Sequence, residues 1–179
     1  DVCVRGAGVV GRTLALLLAR DGLRVALVAE PAPAGGAGAD VRAYALNSAA
    51  RTLLESLRSW PDDAFATAVQ AMQVLGDDGG EIDFSAALAG APALAWIVDV
   101  PALEARLQEA VRYQPLVEVV NTPPGAALPV VCDGRASPAR AQFGVEFDVT
   151  PYPQQAIAAR LSCEKPHAQI ARQRFAHNE

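Results

Sequence analysis

Val2-Cys3-Val4-Arg5-Gly6-Ala7-Gly8-Val9-Val10-Gly11 decides the fold. Asp1 to Arg5 alternates around Val2 and Val4 and reads as a buried strand. Gly6 to Gly11 follows as a tight glycine loop. Leu14, Leu17 and Leu18 then recur at helical spacing up to Gly22, which suits a helix C-cap. Arg24 to Ala29 is a second strand, closed by Glu30 and Pro31. Strand, glycine loop, helix and strand within thirty residues form the βαβ pattern of a parallel sheet.

The spacing of the three glycines carries a chemical meaning. Gly6 permits the tight turn, Gly8 lets the backbone approach a pyrophosphate, and Gly11 lets the helix close on the strand. The pyrophosphate then meets the positive end of a helix and its unpaired N–H groups. Glu30 lies nineteen residues after Gly11, where a carboxylate can accept hydrogen bonds from an adenosine ribose. A glycine-rich turn in an ordinary α/β protein is the competing reading. The fingerprint does not choose between NAD and FAD.

Further along, Pro31 to Ala39 is a small-residue loop. Asn47 can cap a helix with Ala49, Ala50, Leu53, Leu54 and Leu57 inward, ended by Pro61. Met72 and Val74, then Ile82 and Phe84, alternate around Gly76 to Gly80 and predict a hairpin. Asp99 can cap a third helix, with Pro101 in its first turn and Leu103, Leu107 and Val111 inward. Leu128 to Val131 is a short apolar strand running into Cys132-Asp133-Gly134, and Ala139 to Phe143 suits a helical turn. Gln155 to Ser162 alternates weakly and reads as a strand of a second layer. The last dozen residues are polar and expected to fray.

Two later segments resemble a known family. Asp40-Val41-Arg42-Ala43-Tyr44-Ala45-Leu46 resembles the D-x-R-x-x-A-L segment of the FAD-dependent hydroxylases of ubiquinone biosynthesis, members of the aromatic hydroxylase family. The resemblance implies that Arg42 reaches the flavin cofactor. On its residues alone, Arg42 is more simply a solvated surface arginine. Asp133-Gly134-Arg135-Ala136-Ser137-Pro138-Ala139-Arg140 resembles the same family's D-G-x-x-S-x-x-R motif. That likeness implies that Asp133 and Gly134 contact FAD and, by inference, the nicotinamide cofactor. Asp133 and Gly134 otherwise read as a plain turn at a strand's carboxyl end, where α/β sheets bind ligands, and Ser137 can cap the turn that follows. Trp60-Pro61, Tyr152 to Ala156 and His167 to Phe175 are also similar to that family.

There are departures from it. Val100 and Pro101 stand where the family brings a polar residue to the cofactor. Only a short stretch separates Val120 from Leu128, where the family has a small β-meander, and the family's later G-D motif is not in the sequence. The expectation is an incomplete version of a longer enzyme.

Composition narrows the function classes. The chain has 179 residues, 51% hydrophobic and 20% charged, a globular balance. The net charge of −5 argues against nucleic acid as a partner. Cys3, Cys132 and Cys163 form no CxxC pair and read as reduced, in a cytoplasmic setting. With His167 and His177 as the histidines, no metal-ligand spacing arises, so no metal site is expected. No apolar run is long enough to span a bilayer, which leaves peripheral membrane or biosynthetic-complex association open. His167, Ser137, Tyr44 and Tyr152 show no nucleophile or acid–base spacing, so no catalytic residue is assigned.

The expected fold is α/β: a Rossmann-like FAD-binding domain over residues 1–150, with an inserted hairpin at about 70–98. The start of an antiparallel substrate-domain sheet is expected over 151–179. The expected cofactor-binding residues are Gly6, Gly8, Gly11, Glu30, Arg42, Asp133 and Gly134. The resemblance implies an FAD-dependent monooxygenase that hydroxylates a phenolic, polyprenylated ring with NAD(P)H and O2, in ubiquinone biosynthesis. A two-electron FAD oxidoreductase and a non-catalytic FAD-binding fragment are the alternatives.

Overall fold

The structure, a computed structural model, describes residues 1–29 and 40–176. Its elements run β1 (Val2–Arg5), α1 (Val9–Arg20), β2 (Val25–Val28), β3 (Ala43–Leu46), α2 (Ser48–Ser56), β4 (Ala66–Val69), β5 (Ala71–Leu75), β6 (Glu81–Ser85), β7 (Ala95–Asp99), α3 (Val100–Arg112), β8 (Val117–Val120), β9 (Leu128–Val131), α4 (Ala139–Gln142) and β10 (Ile170–Arg174). They fall into two compact units. One takes Asp1–Ala39, Ser56–Ser59 and Leu103–Ile157; the other takes Asp40–Glu55, Trp60–Ala102 and Ala158–Glu179.

The first unit is built on a four-stranded parallel sheet in the order β8-β2-β1-β9. Its central strands are apolar along their length because both faces are covered: Cys3, Val4, Val25 and Leu27 are all buried. The glycine loop leads into α1, as the sequence predicts. The buried face of α1 is not the leucine row, however. Gly11, Ala15, Leu16 and Ala19 are buried, while Leu14, Leu17 and Leu18 are half-exposed. Small residues at these positions let the helix axis approach the sheet closely. Gly22 closes α1 as predicted, at φ +86°, with Leu23 N–H donating to Leu18 O and Gly22 N–H to Ala19 O.

The second unit holds two three-stranded sheets, β3-β7-β4 and β10-β5-β6. The hairpin over Gly76 to Gly80 forms as expected, pairing Met72 with Phe84 and Val74 with Ile82. Asn47 caps α2, its Oδ1 accepting the Ala50 N–H at 2.9 Å. The helix stops at Ser56 rather than at Pro61, because the chain turns through Arg58 at φ +54°. Of its expected inward face, Leu54 is buried and Ala49 and Leu53 are exposed. Asp99 caps α3 by accepting the Ala102 N–H at 2.8 Å, and Leu103, Leu107 and Val111 are buried, as read from the sequence.

Two expectations near the end of the chain are overturned. Gln155 to Ser162 forms no strand; it is exposed and irregular, since Pro151 and Pro153 precede it and no ladder meets it. The polar tail does not simply fray. Ile170–Arg174 pairs parallel with β5, Ile170 opposite Ala71 and Arg174 opposite Leu75. Strands β3, β4, β7 and β8 go unread in the sequence; β1, β2 and β9 are equally short but adjoin the glycine loop, its helix or the Asp133-Gly134 turn.

Candidate functional site

The order β8-β2-β1-β9 reverses direction at β1: the chain leaves to β2 on one side and returns as β9 on the other. Ligands of open α/β sheets bind at such a switch point, beyond the carboxyl ends of the strands. Here those ends carry the glycine loop after β1 and the Cys132-Asp133-Gly134 turn after β9.

The structure presses these two segments together. Gly6 sits at φ +102°, and a Cβ built there would lie 2.5 Å from Cys132 O. A Cβ on Gly11 would lie 1.8 Å from Gly6 O and 3.4 Å from Cys132 Cβ. Both positions therefore require glycine. Gly8 differs: no atom lies within 4 Å of its built Cβ. It is the N-cap of α1, with extended backbone and no side-chain cap, and Gly8 O accepts the first helical hydrogen bond from Arg12 N–H. The N–H groups of the first turn have no intrahelical partner. Open space lies in front of a helix N-terminus, as an anion cradle requires.

Asp133 completes the crevice. Both of its carboxylate oxygens are buried and have no hydrogen-bond partner among the described residues, and the same holds for Ser137 Oγ. Ser137 therefore does not cap α4; Pro138 occupies the N-cap and no side chain caps it. Gly134 turns at φ +77°. Arg140 secures the turn, its guanidinium donating to Arg135 O at 2.7 Å and Gly134 O at 3.0 Å while lying over Phe147. Burial, and then the neighbouring Asp133 charge, push the Cys132 thiol above its ordinary pKa.

A cavity of about 280 Å³ opens beside the loop, lined by Ala7, Arg12, Leu27, Ala29, Arg112 and Val119. Arg12 and Arg112 are cations that sequence reading passed over. Arg12, directly after Gly11, was the one signal that could have found them. Arg42 belongs to the second unit. Its guanidinium forks onto Asp40, at 2.9 Å from Nε to Oδ1 and 2.6 Å from Nη2 to Oδ2. These hydrogen bonds hold the Asp40 carboxyl at a pKa of about 2. The aspartate and arginine of the D-x-R segment thus grip each other. Glu30 lies outside the described residues.

No family model matches the chain. It is 27% identical over 211 residues to the 3-demethoxyubiquinol 3-hydroxylase of Escherichia coli (strain K12), a match taking in 98% of this chain and 51% of that protein. Among solved structures, p-nitrophenol 4-monooxygenase PnpA from Pseudomonas putida DLL-E4 superposes at TM-score 0.60 and 22% identity, over 82% of this chain and 44% of its own. PqsL, a probable FAD-dependent monooxygenase from Pseudomonas aeruginosa, does so at TM-score 0.64 and 22% identity, over 86% and 48%.

The fold is that of FAD-dependent monooxygenases.

The resemblance read from the two later motifs is borne out, as is the α/β fold with its Rossmann-like parallel sheet. The chain spans about half the length of the hydroxylase it matches. The match is also longer than this chain, so the hydroxylase carries additional residues within the matched span. Among the described residues no helix is long and apolar enough to cross a membrane, and no cluster of His, Cys, Asp and Glu could hold a metal.

The residues at the switch point fit the FAD of this fold. A dinucleotide offers a pyrophosphate to the open N-terminus at Gly8 and hydroxyl donors to a carboxylate. Asp133 is a buried carboxylate that lacks donors.

Proposed function

We propose that the protein carrying this chain is an FAD-dependent monooxygenase that hydroxylates a phenolic, polyprenylated ring, using NAD(P)H and O2. The observation that carries this reading is the bare, buried carboxylate of Asp133, whose backbone packs on Gly6 of the glycine loop in which Gly8 stands open. An unpaired buried charge is costly, and a ligand that donates hydrogen bonds to it removes that cost. The naming of the matched hydroxylase supports a quinol-type ring and a role in ubiquinone biosynthesis.

FAD, when bound, would supply electron transfer from the nicotinamide cofactor and activation of dioxygen. The chain's own residues bind and orient it. Gly8 and the first turn of α1 would receive the pyrophosphate, with Arg12 and Arg112 as nearby cations. Asp133, and Glu30 by its spacing, would accept hydrogen bonds from hydroxyl groups. Gly6 and Gly11 serve by letting the loop, the helix and the Asp133 turn meet. No acid–base dyad is assigned, since the chemistry belongs to the cofactor.

Titrating FAD into the chain and following flavin fluorescence tests the reading. Saturable binding that Gly8→Val removes is the expected result. No binding, or unchanged binding in Gly8→Val, would overturn it. In the protein carrying this chain, product and peroxide assays with NADPH and a phenol would separate a hydroxylase from a two-electron oxidoreductase.

A further inference from the structure

The first unit carries a second groove, of about 520 Å³, on which three arginines from three segments converge. Arg20 closes α1, Arg58 follows α2, and Arg106 stands in the middle of α3. Helix α1 runs twelve residues from its cap at Gly8 to Arg20, about 18 Å at 1.5 Å per residue. The groove therefore lies at the far end of that helix from the glycine loop. Helix α3 presents Arg106, Glu109, Ala110 and Tyr113 to it, an i, i+3, i+4, i+7 row on one face. Leu16, Leu57 and Ala110 give the lining an apolar part, and Tyr113, 73% exposed, adds a ring.

The lining sets three cations against one carboxylate, Glu109, in a chain of net charge −5. The negative end of α1 accounts for Arg20, but no helix terminus accounts for Arg106. Arg20 meets Asp21, and Arg106 meets Glu109, at 3.6 Å, beyond hydrogen-bond length. Exposed pairs of this kind contribute little, so a better anion displaces them at little cost. None of the three guanidiniums donates a hydrogen bond among the described residues, whereas those of Arg24, Arg51 and Arg140 do.

Arg58 is held in place at a cost to the backbone. It lies at φ +54°, in the left-handed region that favours glycine. Beside it Ser59 is fully buried, its Oγ donating to Leu57 O at 3.2 Å, and this fixes the turn. Such strain persists where the surroundings over-determine it, and it concentrates where a side chain is positioned for binding.

We propose that this groove binds a soluble organic phosphate of nucleotide size, at a site separate from the FAD. Guanidinium forks on three sides match the oxygens of a phosphate, each offering paired N–H donors. Leu57 and Tyr113 receive the rest of the molecule. The volume falls within the range of small-molecule pockets, roughly 300 to 1,000 Å³. The groove is open to solvent, so the ligand is held by charge and fork geometry and its affinity falls with salt.

The test is an NMR titration of the Gly8→Val chain with ADP, following the Nε–H signals of Arg20, Arg58 and Arg106 and the Tyr113 ring. The Gly8→Val background keeps ADP off the glycine loop, so the result stands apart from the FAD reading. Saturable shifts at these four residues are expected, with adenosine at least tenfold weaker. ADP should weaken at least threefold as salt rises from about 50 to 200 mM. Arg58→Gly relieves the backbone, so it should melt no lower than its parent yet bind ADP at least fivefold more weakly. Shifts that do not saturate or lie elsewhere, equal binding of adenosine, or undiminished binding by Arg58→Gly would overturn the proposal. So would binding to phosphatidylcholine vesicles containing phosphatidic acid without binding of ADP, which would assign the arginines to a lipid surface. The comparison of ADP with adenosine decides the proposal even where the Arg58 variant fails to fold.

Discussion

Gly6, Gly8 and Gly11 carry the same residue for three different reasons, and substitution separates them. Gly6→Ala drives a methyl into Cys132 O at a positive φ, and Gly11→Ala drives one into Gly6 O. Both should lower the stability of the chain by more than about 2 kcal/mol, measured by denaturant unfolding. Gly8→Val meets no atom, so its unfolding midpoint should stay close to wild type while FAD binding is lost. An unfolding loss in Gly8→Val as large as in Gly6→Ala would make all three glycines merely structural. Asp133 poses the opposite case. Asp133→Ala removes a buried charge that has no partner, so the chain without FAD should melt no lower than wild type. With FAD, affinity should fall by about 1.5–3 kcal/mol, the worth of hydrogen bonds to a charged group. Unchanged affinity would place Asp133 outside the site. The glycines were legible in the sequence because their reason is local: spacing, turn and helix start. The bare state of Asp133 was not, because its turn packs against the glycine loop at Gly6, more than a hundred residues away in sequence. Ser137 shows the same limit, reading as a cap when its hydroxyl is buried and unpartnered.

Elements with a local start signal were read correctly, and those that depend on a distant partner were not. Asn47 and Asp99 cap α2 and α3 as their positions predict. Asn47→Ala should cost about 0.5–2 kcal/mol, with the loss of helicity confined to Ser48–Ser56 by hydrogen exchange. By contrast, β10 exists because β5 offers it an edge, and nothing within Ile170–Arg174 announces that pairing. The buried face of α1 was misread for a related reason: leucine spacing marks an amphipathic stripe, while the close approach of helix to sheet selects the small residues. At the entry to β3, the Asp40–Arg42 grip sets a pH dependence. Asp40 titrates at about 2 against an ordinary 3.8, so the contact is fully present above about pH 4 and is lost as pH falls toward 2. Carbon NMR of the Asp40 carboxyl should show this midpoint, and Arg42→Ala should return it toward the ordinary value. A midpoint that ignores Arg42→Ala would assign the shift to some other group.

Over the whole molecule, apolar surface is unevenly distributed. Val4, Val25 and Leu27 of the central strands and Leu103 and Leu107 of α3 are buried, whereas Phe143, Val145, Phe147 and Val149 alternate through a stretch that forms no strand, each more than half exposed. Ile157 follows at 94% exposure and Leu161 at 81%. A run of exposed apolar residues of this kind marks an interaction surface or an association liability. Alternation without a partner strand makes the second outcome concrete, since an unpaired extended segment is a template for another chain. The isolated chain should therefore bind a hydrophobic dye and associate with rising concentration, as followed by light scattering. Val149→Glu with Ile157→Glu should reduce both signals while leaving the far-ultraviolet circular dichroism unchanged, because neither residue is in a helix or strand or buried in the core. Association that survives both substitutions would clear this stretch and direct attention to other exposed apolar residues, such as Leu88 at 90% exposure. Loss of circular dichroism in the double variant would show that the segment holds structure together, contrary to its exposure.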